Sequence, residues 1–232
     1  MKQRVPVRLE TWSLRLAPPL ATLFIPIAVV AIFFWVPTDA GLGLSQRIFY
    51  FHVPCALAAF ASYAAAGLCG IAYLRYSRSE WDHASNAAVG TGMLFGSLVL
   101  ITGSIWAKTA WGTWWTWDAR LTTFLILWLV FASYAMLRAL GRGNDMTPRY
   151  AAVLAIVGTL NIPLVMVATK LWRTIHPQVI GNPKGGIEDP RMLATLGLGM
   201  VAILALCVWF WALRSRILRV EEKLSVLEAS RP

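Results

Sequence analysis

The stretch MLATLGLGMVAILALCVWFWAL, Met192 to Leu213, contains no charged side chain and no strand-like alternation. About 20 predominantly apolar residues are enough for a helix to cross the hydrocarbon of a bilayer. A helix on a soluble core needs only one apolar face. Five further apolar runs precede it, at about 17–36, 48–74, 84–107, 121–140 and 150–171, with Arg138 and Lys170 near the ends of the last two. Helices suit these runs, because barrel strands would alternate lipid-facing and lumen-facing residues. The expectation is an all-α, polytopic membrane protein. Its six transmembrane helices form a single membrane domain over residues 1–232.

Composition supports the same class. Of 232 residues, 58% are hydrophobic and 14% charged, against roughly 25% charged in soluble domains. The net charge is +10. Nucleic-acid binding would require a clustered basic face. Here the basic residues sit in short segments between apolar runs, so the expected partner is the lipid bilayer and no nucleic acid. Lys2, Arg4, Arg8 and Arg15 precede the first run. Arg75 and Arg78 separate the second from the third, and Arg138, Arg142 and Arg149 the fourth from the fifth. Arg214, Arg216, Arg219, Lys223 and Arg231 follow the sixth. The positive-inside rule then places both termini in the cytoplasm. The remaining connections carry Arg47, Lys108, Arg120, Lys170, Arg173, Lys184 and Arg191. They face outward, which in a bacterium is the periplasm. The first run is long and lacks a small-x-small cleavage site before its end, so it is expected to stay as a helix.

Pro26, Pro54 and Pro163 fall within spans, where membrane helices tolerate proline and often kink. Gly92 and Gly96 have the G-x-x-x-G spacing that lets helices approach closely, and packing inside the molecule is the favoured use. After Leu213 the tail mixes Ile217, Leu218, Leu224 and Leu227 with Arg and Glu, which predicts a charged, amphipathic helical extension.

The chemistry concentrates between the third and fourth runs. Five of the chain's 12 tryptophans, Trp106, Trp111, Trp114, Trp115 and Trp117, fall in the segment 106–120, followed by Asp118 and Arg120. An interfacial aromatic belt explains one or two tryptophans at a span end. It does not explain five in one outward connection, interleaved with Gly112, Thr113 and Thr116. Each indole offers a wide apolar face and one N–H donor. Together they suit a large planar ligand, with small residues allowing close approach.

Three histidines complete the picture. His83 stands beside Asp82 in the short cytoplasmic connection and reads as a solvated loop residue. His52 lies just inside the outward end of the second run, where an ionisable group is costly and a functional candidate. His176 lies just past the outward end of the fifth. Topology thus puts His52, His176 and the tryptophan segment on one face. Two neutral imidazoles could ligate a haem iron from opposite sides and leave the porphyrin plane to aromatic contacts. Arg47, Arg120 and Arg173 on the same face could pair with propionates. Zinc would need further ligands at useful spacing.

Cys55, Cys69 and Cys207 all lie in apolar runs, without a C-x-x-C or C-x-x-C-H pattern. Packing roles are expected for Cys69 and Cys207. Cys55, three residues from His52, is left open. No phosphate-binding loop, dinucleotide fingerprint, G-x-S-x-G or H-E-x-x-H motif occurs in the sequence, so no machinery for ATP hydrolysis or metalloprotease chemistry is expected.

The segment Trp111-Gly-Thr-Trp114-Trp115-Thr-Trp117-Asp118-Ala-Arg120 resembles the WWD signature of tryptophan-rich haem-handling membrane proteins. Within that superfamily, the length, six spans and two outward histidines resemble the haem exporter protein C (CcmC) family of bacterial cytochrome c maturation. The resemblance covers essentially the whole chain. It implies a multi-pass protein of the bacterial inner membrane that holds haem b non-covalently and transiently. His52 and His176 would be the axial iron ligands. Trp106, Trp111, Trp114, Trp115, Trp117 and Asp118 would form the signature, with Arg47 and Arg120 as propionate partners. The implied role is non-enzymatic: haem is held at the periplasmic face and its transfer to the haem chaperone CcmE is supported. The implied partners also include an ABC-type complex with an ATPase subunit, a second membrane subunit and a small membrane subunit. The alternative is a haem or small-molecule permease subunit of an ABC-type transporter, which would need a polar midplane site.

Overall fold

The computed structural model describes residues 5–172, 176, 187 and 189–230. Arg173, proposed above for the outward face, lies outside the described residues, as do Lys2, Arg4, Lys184 and Arg231. Six α-helices follow in order: α1 Val5–Val30, α2 Phe49–Tyr76, α3 Ser79–Trp111, α4 Ala119–Leu140, α5 Thr147–Leu171 and α6 Pro190–Ala229. A π-turn over Ala31–Trp35 prolongs α1, and a 3₁₀ turn over Leu44–Ile48 leads into α2. All six helices are long and apolar enough to cross a membrane. Among the described residues the only β-type pairing is an isolated bridge between Asp39 and Gly43. The chain is an all-α, polytopic membrane protein.

Helix ends follow local chemistry. The Asp118 carboxylate accepts a hydrogen bond from the Arg120 N–H and caps α4, and Asp189 does the same for α6 through Arg191. Side-chain and backbone hydrogen bonds from Arg191 also hold the exposed Asp189 carboxyl below the usual carboxylate range. Pro148 and Pro190 stand in the first turns of α5 and α6, where a missing N–H costs nothing. Gly112 ends α3 in the left-handed region, at φ 75°, with its N–H donating to the Lys108 carbonyl.

The packing is what a bilayer selects. Helix α2 runs against α3, α5 and α6, while α1 leans on α6. The crossings are lined by small residues: Ala58, Ala59, Ala66, Ala84, Ala87 and Ala88 are each buried. Large apolar side chains point outward instead, with Phe34 85% and Leu160 72% exposed. In water this arrangement would be unstable. In lipid, close backbone approach holds the helices together and the bulky side chains meet acyl chains. Gly92 and Gly96 serve this internal packing. A Cβ at Gly92 would stand 2.6 Å from Cε1 of Tyr63, and one at Gly96 2.8 Å from its Oη. Tyr63 is itself fully buried and stacks on Phe131, with ring centroids 4.0 Å apart and planes 6° apart. Asn161 on α5 donates to the Thr123 carbonyl on α4, so this in-span amide joins two helices.

Several boundaries differ from the sequence expectation. The first helix starts at Val5, not near residue 17. The polar stretch before the apolar run is helical because Glu10, 2% exposed, pairs with Arg219 on α6. A charge that looks solvated in isolation is buried against a partner over two hundred residues away. That partner exists because α6 continues through the predicted tail to Ala229. His83 is corrected as well. It lies on α3 with its side chain 12% exposed, and its Nε2 is 3.8 Å from Glu222 Oε2 on α6. It is not a solvated loop residue, because the α6 extension covers it. Nearby, Arg138 on α4 grips Asp82 on α3 through two hydrogen bonds of 2.7 and 2.8 Å. The start of α1 and the end of α6 therefore share one end of the bundle, together with this pair.

The segment 106–120 is not one loop. Trp106 and Trp111 belong to the last turns of α3, the connection proper is 112–118, and Arg120 stands on α4. Helix α3 runs on until Gly112 supplies the left-handed residue that stops it. Gly112 is therefore a helix stop.

Candidate functional site

The other end of the bundle gathers the sequence candidates. His52 sits in the first turn of α2, just after the 3₁₀ turn that carries Arg47. Its Nδ1 lies 2.9 Å from the Thr102 hydroxyl on α3. The ring fits because the next residue is Gly103, where a Cβ would stand 3.1 Å from His52 Cε1. His176 and Arg120 both lie within electrostatic range of His52. Residues from α2, from α4 and from beyond α5 thus share one end of the bundle.

Aromatic rings extend the group. Trp111 meets His176 edge to face, with centroids 6.5 Å apart and planes at 68°. Trp106 meets Trp111 in the same manner, at 5.1 Å and 81°. Such pairs contribute about 0.5–1.5 kcal/mol beyond their buried area. They hold an imidazole that follows the end of α5 against the end of α3. Trp115 and Trp117 form a second pair at 6.0 Å and 80°. Trp117 is 78% and Trp114 58% exposed. The Trp115 indole N–H and the Thr116 hydroxyl are buried with no hydrogen-bond partner among the described residues. Thr113 turns its hydroxyl onto the Trp115 carbonyl and shapes the connection.

The charged candidates divide. Arg120 belongs to the histidine group. Arg47 stands over the Phe33 ring, with Cζ 5.9 Å from the centroid, and its Nε is buried without a partner among the described residues. Asp118 has a visible structural task as the α4 cap. Cys55 and Cys207 are buried, and the Cys207 thiol meets the Ser62 hydroxyl at 3.3 Å. Among the described residues no group of three or more His, Cys, Asp and Glu is placed to hold a bare metal ion.

The sequence reading missed two residues here, Thr102 and Gly103. A signal was present. Thr102 lies four residues before Trp106 on a helix, so the two share a face.

In chemical terms, two imidazoles and an arginine lie within electrostatic range at one end of the bundle, and an indole pair packs edge to face against one of the imidazoles. That set can ligate a metal centre carried in a planar, apolar, anionic frame. The family profile described as heme exporter protein C matches residues 2–229. A protein named heme exporter protein C from Bradyrhizobium diazoefficiens is 32% identical over 235 residues, covering 97% of this chain and 88% of its own length. Its namesake from Haemophilus influenzae is 30% identical over 223 residues, covering 94% and 88%. The Escherichia coli K12 protein of that name is 32% identical over 193 residues, covering 82% and 78%. With a match of this extent from end to end, the chain belongs to the heme exporter protein C family.

Proposed function

We propose that this protein holds haem as transient cargo at one face of the membrane and presents it for cytochrome c biogenesis. The observation that carries the reading is that His52 and His176, far apart in sequence, lie within electrostatic range of each other at the end of the bundle where Trp106 and Trp111 pack. The name of the relatives, heme exporter protein C, supports the same cargo. The residues fit haem b. Two imidazoles can supply both axial nitrogens. Arg120, and Arg47 from the neighbouring turn, can pair with propionates. Asp118 fixes the start of α4 and hence the position of Arg120. The buried, unpartnered N–H of Trp115 calls for an acceptor.

The chain's own residues bind and orient. His52 and His176 set the tilt of the ring, Trp106 and Trp111 exclude water from its edge, and Trp114 and Trp117 leave broad apolar faces exposed. When bound, haem supplies the vinyl groups and the iron that a receiving protein uses. The protein acts as an assembly factor rather than an enzyme, by positioning. The receiver is a haem chaperone of the CcmE kind. The protein works in an ABC-type complex with an ATPase subunit, a second membrane subunit and a small membrane subunit. The end bearing Arg75, Arg78, Arg138, Arg142 and Arg149 is cytoplasmic by the positive-inside rule. The histidine end then faces the periplasm of a bacterial inner membrane.

The test is an absorption spectrum of the detergent-purified chain, oxidised and reduced, beside the His52→Ala/His176→Ala double variant. A low-spin haem spectrum in the parent that weakens or turns high-spin in the variant is expected. A parent chain without haem, even when co-expressed with its complex and supplied with haem, would overturn the reading.

A further inference from the structure

A neutral histidine ring commits its one proton to one of two nitrogens, and its neighbours decide which. His52 meets Thr102, with Nδ1 2.9 Å from the hydroxyl oxygen. The same hydroxyl lies 2.6 Å from the carbonyl oxygen of Leu98, one turn back on α3. A threonine hydroxyl has a single proton. The shorter contact takes it, in the back-bonding habit of threonine on a helix. The lone pairs of Oγ1 then face His52. Their contact is a hydrogen bond only if Nδ1 carries the proton.

We propose that Thr102 holds His52 in its Nδ1–H form, leaving Nε2 with a bare lone pair as the ring's donor atom. Helix α3 thus governs both the place and the proton of His52. Gly103 leaves room for the ring, with Cε1 3.1 Å and Nδ1 3.8 Å from where its Cβ would be. Thr102 is a positioning residue that acts through His52.

One consequence rests on the haem reading above. A ring that donates through its far nitrogen is a more basic ligand and stays better oriented. It favours the oxidised iron, so losing the bond raises the midpoint potential of bound haem.

The deciding experiment needs no haem. The full chain is labelled with ¹⁵N-histidine, purified haem-free in detergent and examined by NMR, the His52 signals being identified by their absence from His52→Ala. Expected are a protonated Nδ1 and a bare Nε2. An Nε2–H ring in the unmodified chain overturns the proposal. Thr102→Val keeps the side-chain shape without the hydroxyl and is expected to bring in the second tautomer. Thr102→Ser is expected to restore the first. A valine variant with an unchanged His52 spectrum overturns the proposal. If the valine variant does not insert, the parent and serine spectra still decide it.

With haem loaded, Thr102→Val is expected to retain it roughly tenfold less tightly, at a raised midpoint potential. An unchanged potential overturns the claim that the bond tunes the ligand. A parent chain that shows the Nδ1–H form yet takes up no haem supports the proposal and overturns only the functional reading.

Discussion

Gly103 lies directly against the imidazole of His52: a Cβ at that position would stand 3.1 Å from Cε1. At this spacing an added methyl makes the ring give by a few tenths of an ångström, and a branched side chain evicts it. Glycine within a helix is otherwise a cost of about 1 kcal/mol relative to alanine. Gly103→Ala is therefore expected to hold or raise the thermal midpoint in detergent while haem retention weakens. Gly103→Val is expected to weaken retention further, by roughly tenfold or more, as for loss of a ligand's support. Parallel losses of retention and midpoint would instead mark Gly103 as a packing residue.

A second pair of glycines separates two kinds of close contact. A Cβ at Gly96 would meet the hydroxyl of Tyr63 at 2.8 Å, whereas one at Gly92 would meet ring carbons at 2.6 and 2.7 Å. Tyr63 is stacked on Phe131 and fully buried, so it has little room to retreat. Gly92→Ala and Gly96→Ala are each expected to destabilise by about 1–3 kcal/mol, the usual cost of overpacking. Tyr63→Phe removes only the hydroxyl. It should rescue Gly96→Ala and leave Gly92→Ala unrescued. Unfolding midpoints for the four combinations give the answer, and equal rescue of both would count against the geometry.

The parts of the fold legible in sequence were those set by local composition. Apolar runs mark the six spans because each residue of a membrane helix meets lipid or another helix directly. The ends were less legible because distant partners set them. Nothing in the sequence around Glu10 announces Arg219, and His83 reads as solvated until Glu222 is known to meet it. The site shows the same division. Trp111 and His176 announce themselves by residue type. Thr102 is one ordinary threonine in an apolar run, and only the crossing of α2 over α3 gives it a histidine to touch. The split of the tryptophan segment between a helix end and a short connection turned on Gly112, whose positive φ stops α3.

At the opposite end, Arg138 and Asp82 form a two-pronged ion pair with side chains 17% and 10% exposed. A pair this sheltered contributes little against an apolar replacement, yet removing one partner strands the other charge. Asp82→Ala or Arg138→Ala alone is expected to cost about 3 kcal/mol, the low end for breaking a buried pair. The double variant Asp82→Leu/Arg138→Met should lose much less. Haem retention should follow stability in these variants, since the pair is remote from His52. Additive losses in the double variant would show that the two residues act separately.

The tryptophans are expected to divide by their contacts. Trp117 is 78% exposed, whereas Trp111 holds His176 edge to face and leans on Trp106. Exposed side chains change stability little when removed, usually within about 0.5 kcal/mol. Trp117→Ala, and Trp114→Ala with it, should leave the thermal midpoint near that of the parent. Both should weaken haem retention, because they remove an exposed apolar face that the cargo can use. The residual haem should remain low-spin, since the indole packed against His176 is that of Trp111. Trp111→Ala is different: it removes the ring packed against His176, so part of the bound haem should turn high-spin at unchanged His52. Absorption spectra at matched haem content distinguish the cases. A low-spin spectrum in Trp111→Ala, equal to that of the parent, would mean that something other than the indole holds His176 in place.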